Sequence, residues 1–245
     1  MNATPAQADV QQGQRVAAGV ALIAAGLIFF AAEFIAAAAW TRPPYSYTYN
    51  YISNLGVHGP TQGFGQLMYS PLAWVMNTGF FLFGIILFAG TTMLTGPHGT
   101  RGWAVRTLAL LVAAGGVLLA FFHGTGETPD SGAIDFHSIG ALASIISGNV
   151  LIIILGRAHR QAAITATTGR AMVALGVFGL ISLIGFMAIA GSSATLIGLV
   201  ERCAVYPLLI GFICAGRSIW KGNRASLQDR PNGGFLGAAS THSSG

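Results

Sequence analysis

Two sets of side chains in this 245-residue chain could do chemistry. The first is His123, Asp135 and His137, in a stretch that carries no lysine or arginine and three acids, Glu127, Asp130 and Asp135. An acid and a histidine two residues apart, with a second histidine nearby, are donors that a hard or borderline divalent metal accepts. The same groups could relay protons. The spacing lacks the i, i+4 histidine pair of a His-Glu-x-x-His site. The plainer alternative is that these residues cap helices and bond loop backbone. The second set is Glu33, Ser53, Asn54, Glu201 and Arg202. These could line a polar ligand pocket, with Arg202 paired to Glu33, Asp135 or Glu201. They could equally form a salt bridge that only locks the structure.

The elements around these residues are apolar. Hydrophobic residues make up 53% of the chain and charged residues 8%, against about 25% charged in a soluble globular protein. A bilayer core of about 30 Å is crossed by roughly 20 apolar residues in a helix. Six runs qualify: Val16–Trp40, Pro71–Leu94, Trp103–Phe122, Ser138–Leu155, Ala171–Ala190 and Leu196–Trp220. No segment has the alternating polarity of a membrane β-strand. The first run is longer than the apolar stretch of a secretory signal, about 7–15 residues, and reads as an uncleaved helix. The expectation is an all-α, polytopic transmembrane bundle of six helices. A membrane domain over 16–220 would lie between disordered cytoplasmic tails at 1–15 and 221–245.

Charge placement orients the bundle. Of the 12 basic residues, ten fall on the side that holds both termini, and only Arg42 and Arg202 fall on the other. The arginine-rich side is expected to be cytoplasmic, giving an N-in, C-in, multi-pass protein of the bacterial inner (plasma) membrane. Glu33, Glu127, Asp130, Asp135 and Glu201 then gather at the outer side. The net charge of +5 does not point to nucleic acid, because the basic residues sit in short loops between apolar runs.

Small residues suggest how the spans pack, since close approach rather than apolar burial brings helices together in lipid. Gly140, Ser144 and Gly148 share a face of the fourth span, and Gly176, Gly179, Ser182 and Gly185 recur along the fifth. Pro207 is expected to kink the sixth. Cys203 and Cys214 are eleven residues apart on one helix, roughly 16 Å, too far for a disulfide. In the loop after the first span, Tyr45, Tyr47, Tyr49 and Tyr51 alternate with polar residues, as a short extended segment or an aromatic belt at the headgroups would. Gly56 is expected to make a turn.

Three motifs carry a resemblance: Ile52-Ser53-Asn54-Leu55-Gly56 after the first span, Asp130-x-x-x-x-Asp135-x-His137 before the fourth, and Gly198-Leu-Val-Glu201-Arg202 opening the sixth. In order and spacing the chain resembles the domain of unknown function 998 family, prokaryotic integral membrane proteins of about six spans. The likeness covers Val16–Trp220. The first motif is also similar to the Ile-Ser-Asp-x-Gly stretch of the DRAM/Sfk/Frag group, with Asn54 where an acid is common. The resemblance implies fold and location, and no activity.

Two functions fit these residues. One is an uncharacterised membrane protein with a polar, acidic and histidine-containing outer-face pocket that binds a lipid or small solute. The other is a membrane-embedded, metal-dependent lipid hydrolase. In it a divalent metal on His123, Asp135 and His137 would lower the pKa of bound water to about 7, and Ser53 or Glu201 would hold substrate or move a proton. That set of residue types is loosely similar to the alkaline ceramidase superfamily. Internal repeats and midplane charges typical of secondary transporters are missing from the sequence, as is any filter motif of a channel. The lipid bilayer is the one partner implied outright; oligomeric state is left open.

Overall fold

The computed structural model describes residues 4–63, 65–94, 96–124, 134–190 and 196–228. Six helices dominate it: α1 (Pro5–Ala39), α2 (Ala73–Thr92), α3 (Gly99–Phe121), α4 (Phe136–Arg157), α5 (Ala166–Ile189) and α6 (Ile197–Gln228). All six are long and apolar enough to cross a membrane, which satisfies the backbone within each segment. Each helix packs on the one before and the one after it in sequence. The sixth closes back onto the first, and a smaller contact joins α4 to α6. The bundle is thus a closed ring of sequential neighbours. Its least embedded member is α5, with 22% of its apolar window buried against 56% for α4 and for α6.

The helices at the two ends outrun their apolar stretches. α1 begins at Pro5 rather than Val16, because Thr4 and Gln7 form a reciprocal capping box and Pro5 occupies the first turn. α6 continues to Gln228, and Gln12 Nε2 donates to the Asn223 carbonyl at 3.0 Å. Hydropathy therefore marks where the apolar run stops, while caps and side-chain contacts carry the helix beyond it. Pro207 lies inside α6, which runs on past it.

Small residues set the helix contacts, though not always those expected. A Cβ on Gly140 would meet Leu118 Cβ at 2.7 Å, and one on Gly176 would meet the Asn149 carbonyl at 2.7 Å. Gly148 faces Leu208 of α6. Gly185 makes no tight contact: its nearest neighbour beyond its own helix backbone is Val200 at 4.0 Å. A closer crossing joins Gly19 of α1 to Gly216 of α6, where a Cβ on Gly19 would lie 2.8 Å from the Gly216 carbonyl oxygen. Asn149, fully buried on α4, donates to the carbonyls of Ile145 at 2.9 Å and Ala204 at 3.0 Å. It ties α4 to α6 as polar groups do between membrane helices. Cys203 and Cys214 are both free thiols.

Loop one joins α1 to α2 and is compact. The tyrosine run forms turns, not an extended strand; the strands come later, as the hairpin β1 (Thr61–Gly63) and β2 (Gln66–Met68). Ser53–Gly56 forms a short 3-10 helix. Gly56 ends it because a Cβ there would run into the Asn77 side chain, whose Nδ2 donates to the Gly56 carbonyl at 3.0 Å. Space, not turn conformation, requires this glycine.

Gly19→Leu should lower stability by overpacking the α1–α6 crossing, a change of about 1–3 kcal/mol or more. Gly13→Leu, where nothing lies within 4 Å, should not. Denaturant titration of both variants in detergent checks this.

Candidate functional site

Glu33, Glu201 and Arg202 meet at the loop-one end of the bundle. Glu33 lies on α1, and Glu201 and Arg202 lie in the first turns of α6. Their side chains are all buried, at 0%, 8% and 4% exposure. Successive helix residues point about 100° apart, so Glu201 and Arg202 address different neighbours.

Arg202 faces α1 and loop one. Its Nε donates to Glu33 Oε1 at 3.0 Å and its Nη2 to the same oxygen at 2.9 Å. Nη1 donates to the carbonyls of Tyr47 (2.8 Å), Asn50 (3.0 Å) and Gly198 (2.9 Å). Nη2 also donates to the Tyr45 hydroxyl. All five N–H groups of the guanidinium are thereby used. The Tyr45 and Tyr47 rings lie 5.5 and 4.9 Å from the guanidinium carbon, at cation–π distance. Burial raises the Tyr45 phenol above its ordinary pKa more than the guanidinium lowers it. Tyr45 is therefore neutral, and its hydroxyl donates a hydrogen bond to the Tyr51 carbonyl at 2.9 Å. Tyr206 of α6 adds a third donor to Glu33 Oε1 at 3.0 Å.

Around this centre the loop is laced together. Asn50 Oδ1 accepts from the Ser46 N–H at 2.9 Å. Gln66 Oε1, on β2, accepts from Asn54 at 2.7 Å and Asn50 at 3.3 Å, while its Nε2 donates to the Tyr49 carbonyl at 2.7 Å. The Leu199 N–H of α6 donates to the Thr48 carbonyl at 3.1 Å. Gly198 must be a glycine because the Asn50 carbonyl presses on the position a Cβ would take.

Glu201 faces the other way. Its Oε2 accepts from the Ile52 N–H at 2.6 Å, and its side chain lines two cavities of ≈ 60 and ≈ 160 Å³. The two share Ser53, His137, Ala141, Ile145 and Glu201. The smaller runs into the bundle centre, against Phe29, Phe80, Phe83 and Leu208. The larger lies between α4 and α5, against Tyr51, Leu142, Leu183, Phe186 and Met187. Met187, in its lining, is 51% exposed, so the edge of this cavity lies at the surface of the bundle.

The candidate residues thus separate. Ser53 and Glu201 stand at the cavity wall. Glu33 and Arg202 are consumed by the cluster behind it, and Asn54 is turned into the loop, 2% exposed against Gln66. His137 joins the wall, with its Nδ1 2.9 Å from the Phe122 carbonyl. A carbonyl only accepts, so Nδ1 carries the proton and Nε2 of the neutral ring is the acceptor. The ring packs over Gly124, where a Cβ would lie 3.2 Å from Nε2.

Asp135 is the N-cap of α4, its Oδ1 accepting from the Ser138 N–H at 3.0 Å. Partial burial pushes its carboxyl up, but the Ser138 hydrogen bonds outweigh this and hold it below its ordinary value of 3.8. His123 is exposed just beyond α3. Among the described residues no three histidine, cysteine or acidic side chains are grouped to hold a metal ion, and Glu127 and Asp130 lie outside the described residues. The expected set of His123, Asp135 and His137 is therefore not assembled as a three-ligand site: Asp135 is committed to its cap and His137 to the cavity. Gln66, Phe186 and Tyr206 were not singled out by the sequence, and Tyr45 and Tyr51 only as members of the tyrosine run, because their roles depend on contacts across 12 to 173 residues of chain.

Six apolar helices in a closed ring, with buried charges at one end, define a multi-pass membrane protein. The family model described as "Protein of unknown function (DUF998)" matches residues 15–218, and the chain belongs to that family. No curated protein and no solved structure matches it.

Removing one partner of the buried pair should cost about 3–5 kcal/mol. Arg202→Ala and Arg202→Lys should both lower the unfolding midpoint and expose loop one to protease. Glu33→Met with Arg202→Met should recover much of the loss, giving a double-mutant coupling of opposite sign to the single effects. Asp135→Ala should cost about 1 kcal/mol. Because the folded-state pKa is depressed, that cost should be full above the unfolded value and vanish as pH falls through the folded one, which a pH series of midpoints for wild type and variant would reveal.

Proposed function

We propose that the protein binds an amphiphile drawn sideways from the bilayer. Its polar head would sit at the wall formed by Ser53, His137 and Glu201, and its chain would leave between α4 and α5. One observation carries this reading: a mostly apolar cavity beside the most peripheral helix ends on three side chains that can hydrogen-bond a head group. A volume of ≈ 160 Å³ is small beside drug-sized sites of about 300–1,000 Å³. It suits a head group and the first part of a chain, with the remainder lying in lipid. The arginine distribution supports an orientation with the loop-one end outside and both termini in the cytoplasm, in a bacterial inner membrane.

The second reading, a metal-dependent lipid hydrolase, rests on the His137 Nε2 acceptor at the cavity. It requires a second and third ligand to come to that nitrogen.

Protein purified in a non-ionic detergent should carry a co-purifying amphiphile, detectable by native mass spectrometry. Ala141→Trp, which fills the region common to both cavities, should remove it without lowering the melting temperature. Retention of the amphiphile in that variant would sink the proposal. Elemental analysis of wild type beside His137→Ala addresses the second reading: a stoichiometric divalent metal lost in the variant would move the balance to hydrolysis.

A further inference from the structure

Two acids and one base are the buried carboxylate and cationic side chains among the described residues: Glu33, Glu201 and Arg202. Arg202 directs its five N–H groups to Glu33, Tyr45 and three carbonyls, and none to Glu201. Glu201 receives one hydrogen bond, from Ile52 to Oε2. No described residue donates to its Oε1, and the side chain stands at the wall of both cavities. Arg202 acts on Glu201 through space but is hydrogen-bonded to Glu33, so two ionised carboxylates and one guanidinium leave one negative charge over. A buried charge requires a counter-charge, and the cavity is the place from which a further one can come.

The remaining walls are consistent in sign. Neither cavity is lined by a lysine or an arginine, so an anionic head would meet Glu201 unopposed. Aromatic rings are close by: Tyr51 and Phe186 line the larger cavity in edge contact, with centroids 6.0 Å apart. A carboxylate beside aromatic rings is the combination that recognises ammonium groups.

We infer that the amphiphile is cationic, with an ammonium head seated against Glu201 beside the Tyr51 and Phe186 rings. This rests on the amphiphile reading above and adds the sign and chemistry of the head.

The test titrates full-length protein in a maltoside detergent with dodecyltrimethylammonium, dodecanol and dodecanoate at equal mole fraction in the micelle. Binding is read by native mass spectrometry and thermal shift. The ammonium should bind at least about tenfold more tightly than either chain-matched control. Glu201→Gln keeps an oxygen acceptor for Ile52 and should abolish that preference, the ammonium then binding no more tightly than dodecanol. Phe186→Leu should reduce it several-fold by the same comparison, and serves if Glu201→Gln does not fold. Equal binding of dodecanol and the ammonium, as a protonated Glu201 would give, overturns the cationic head and leaves the amphiphile reading standing. So does a preference that survives both variants. Absence of binding by all three probes, with wild type and Ala141→Trp alike, overturns both.

Discussion

Five N–H donors on one buried guanidinium have to find acceptors where there is no water, and most of the loop-one end of this protein is arranged to supply them. Arg202 draws in a carboxylate from α1, a phenol and two carbonyls from loop one, and a carbonyl from its own helix. Each acceptor brings a segment with it. The carboxylate pins α6 to α1, which closes the helix ring. The carbonyls hold Tyr47–Asn50 down across the start of α6, and Tyr45 carries the restraint on to Tyr51. The pair is not a source of stability by itself, since desolvating two ions offsets much of their attraction. It makes one arrangement of loop and helices strongly preferred over alternatives that leave a charge unpaired.

With the loop held there, its next residues have little freedom. Ile52 gives its N–H to Glu201, Ser53 reaches the cavity wall, and Asn54 turns back to Gln66. The cavity follows from the same constraint. Loop one lies across the start of α6, and a space remains between α4 and α5 at the wall of Ser53, His137 and Glu201. Close helix crossings at Gly140, Gly176 and the Gly19–Gly216 pair hold neighbouring helices together. Structural and site roles are thus divided between adjacent residues: Arg202 holds the scaffold and Glu201 faces the space the scaffold leaves.

The six helices were legible because membrane crossing is a local requirement of length and apolarity, which each segment meets alone. Their ends were less so: the capping box at Thr4 and the Gln12–Asn223 contact extend helices past the point where hydropathy falls. Among the small residues, Gly140, Gly148, Gly176 and Gly179 make contacts, but Gly185 does not and Gly19 and Gly216 do. Spacing on one helix shows which face is small, not what lies opposite. Of the two readings of the tyrosine alternation, an extended segment or a headgroup belt, the extended segment does not form, for a related reason. Period two suits a strand, but the Arg202 and Asn50 hydrogen bonds fold that stretch into turns.

By itself the sequence determined the class of protein, the number of spans, the family and the gathering of acids and histidines at one end. All of these are properties of composition and local order. Only the tertiary structure decided how those residues are shared out. It paired Arg202 with Glu33 and left Glu201 to the cavity, made Asp135 the cap of α4 without a three-ligand metal group among the described residues, and brought Tyr51 and Phe186 to the same wall. The physical reason is that a side chain's partner is set by which helices are neighbours and how each is rotated. In lipid that depends on steric fit and buried hydrogen bonds between segments far apart in the chain.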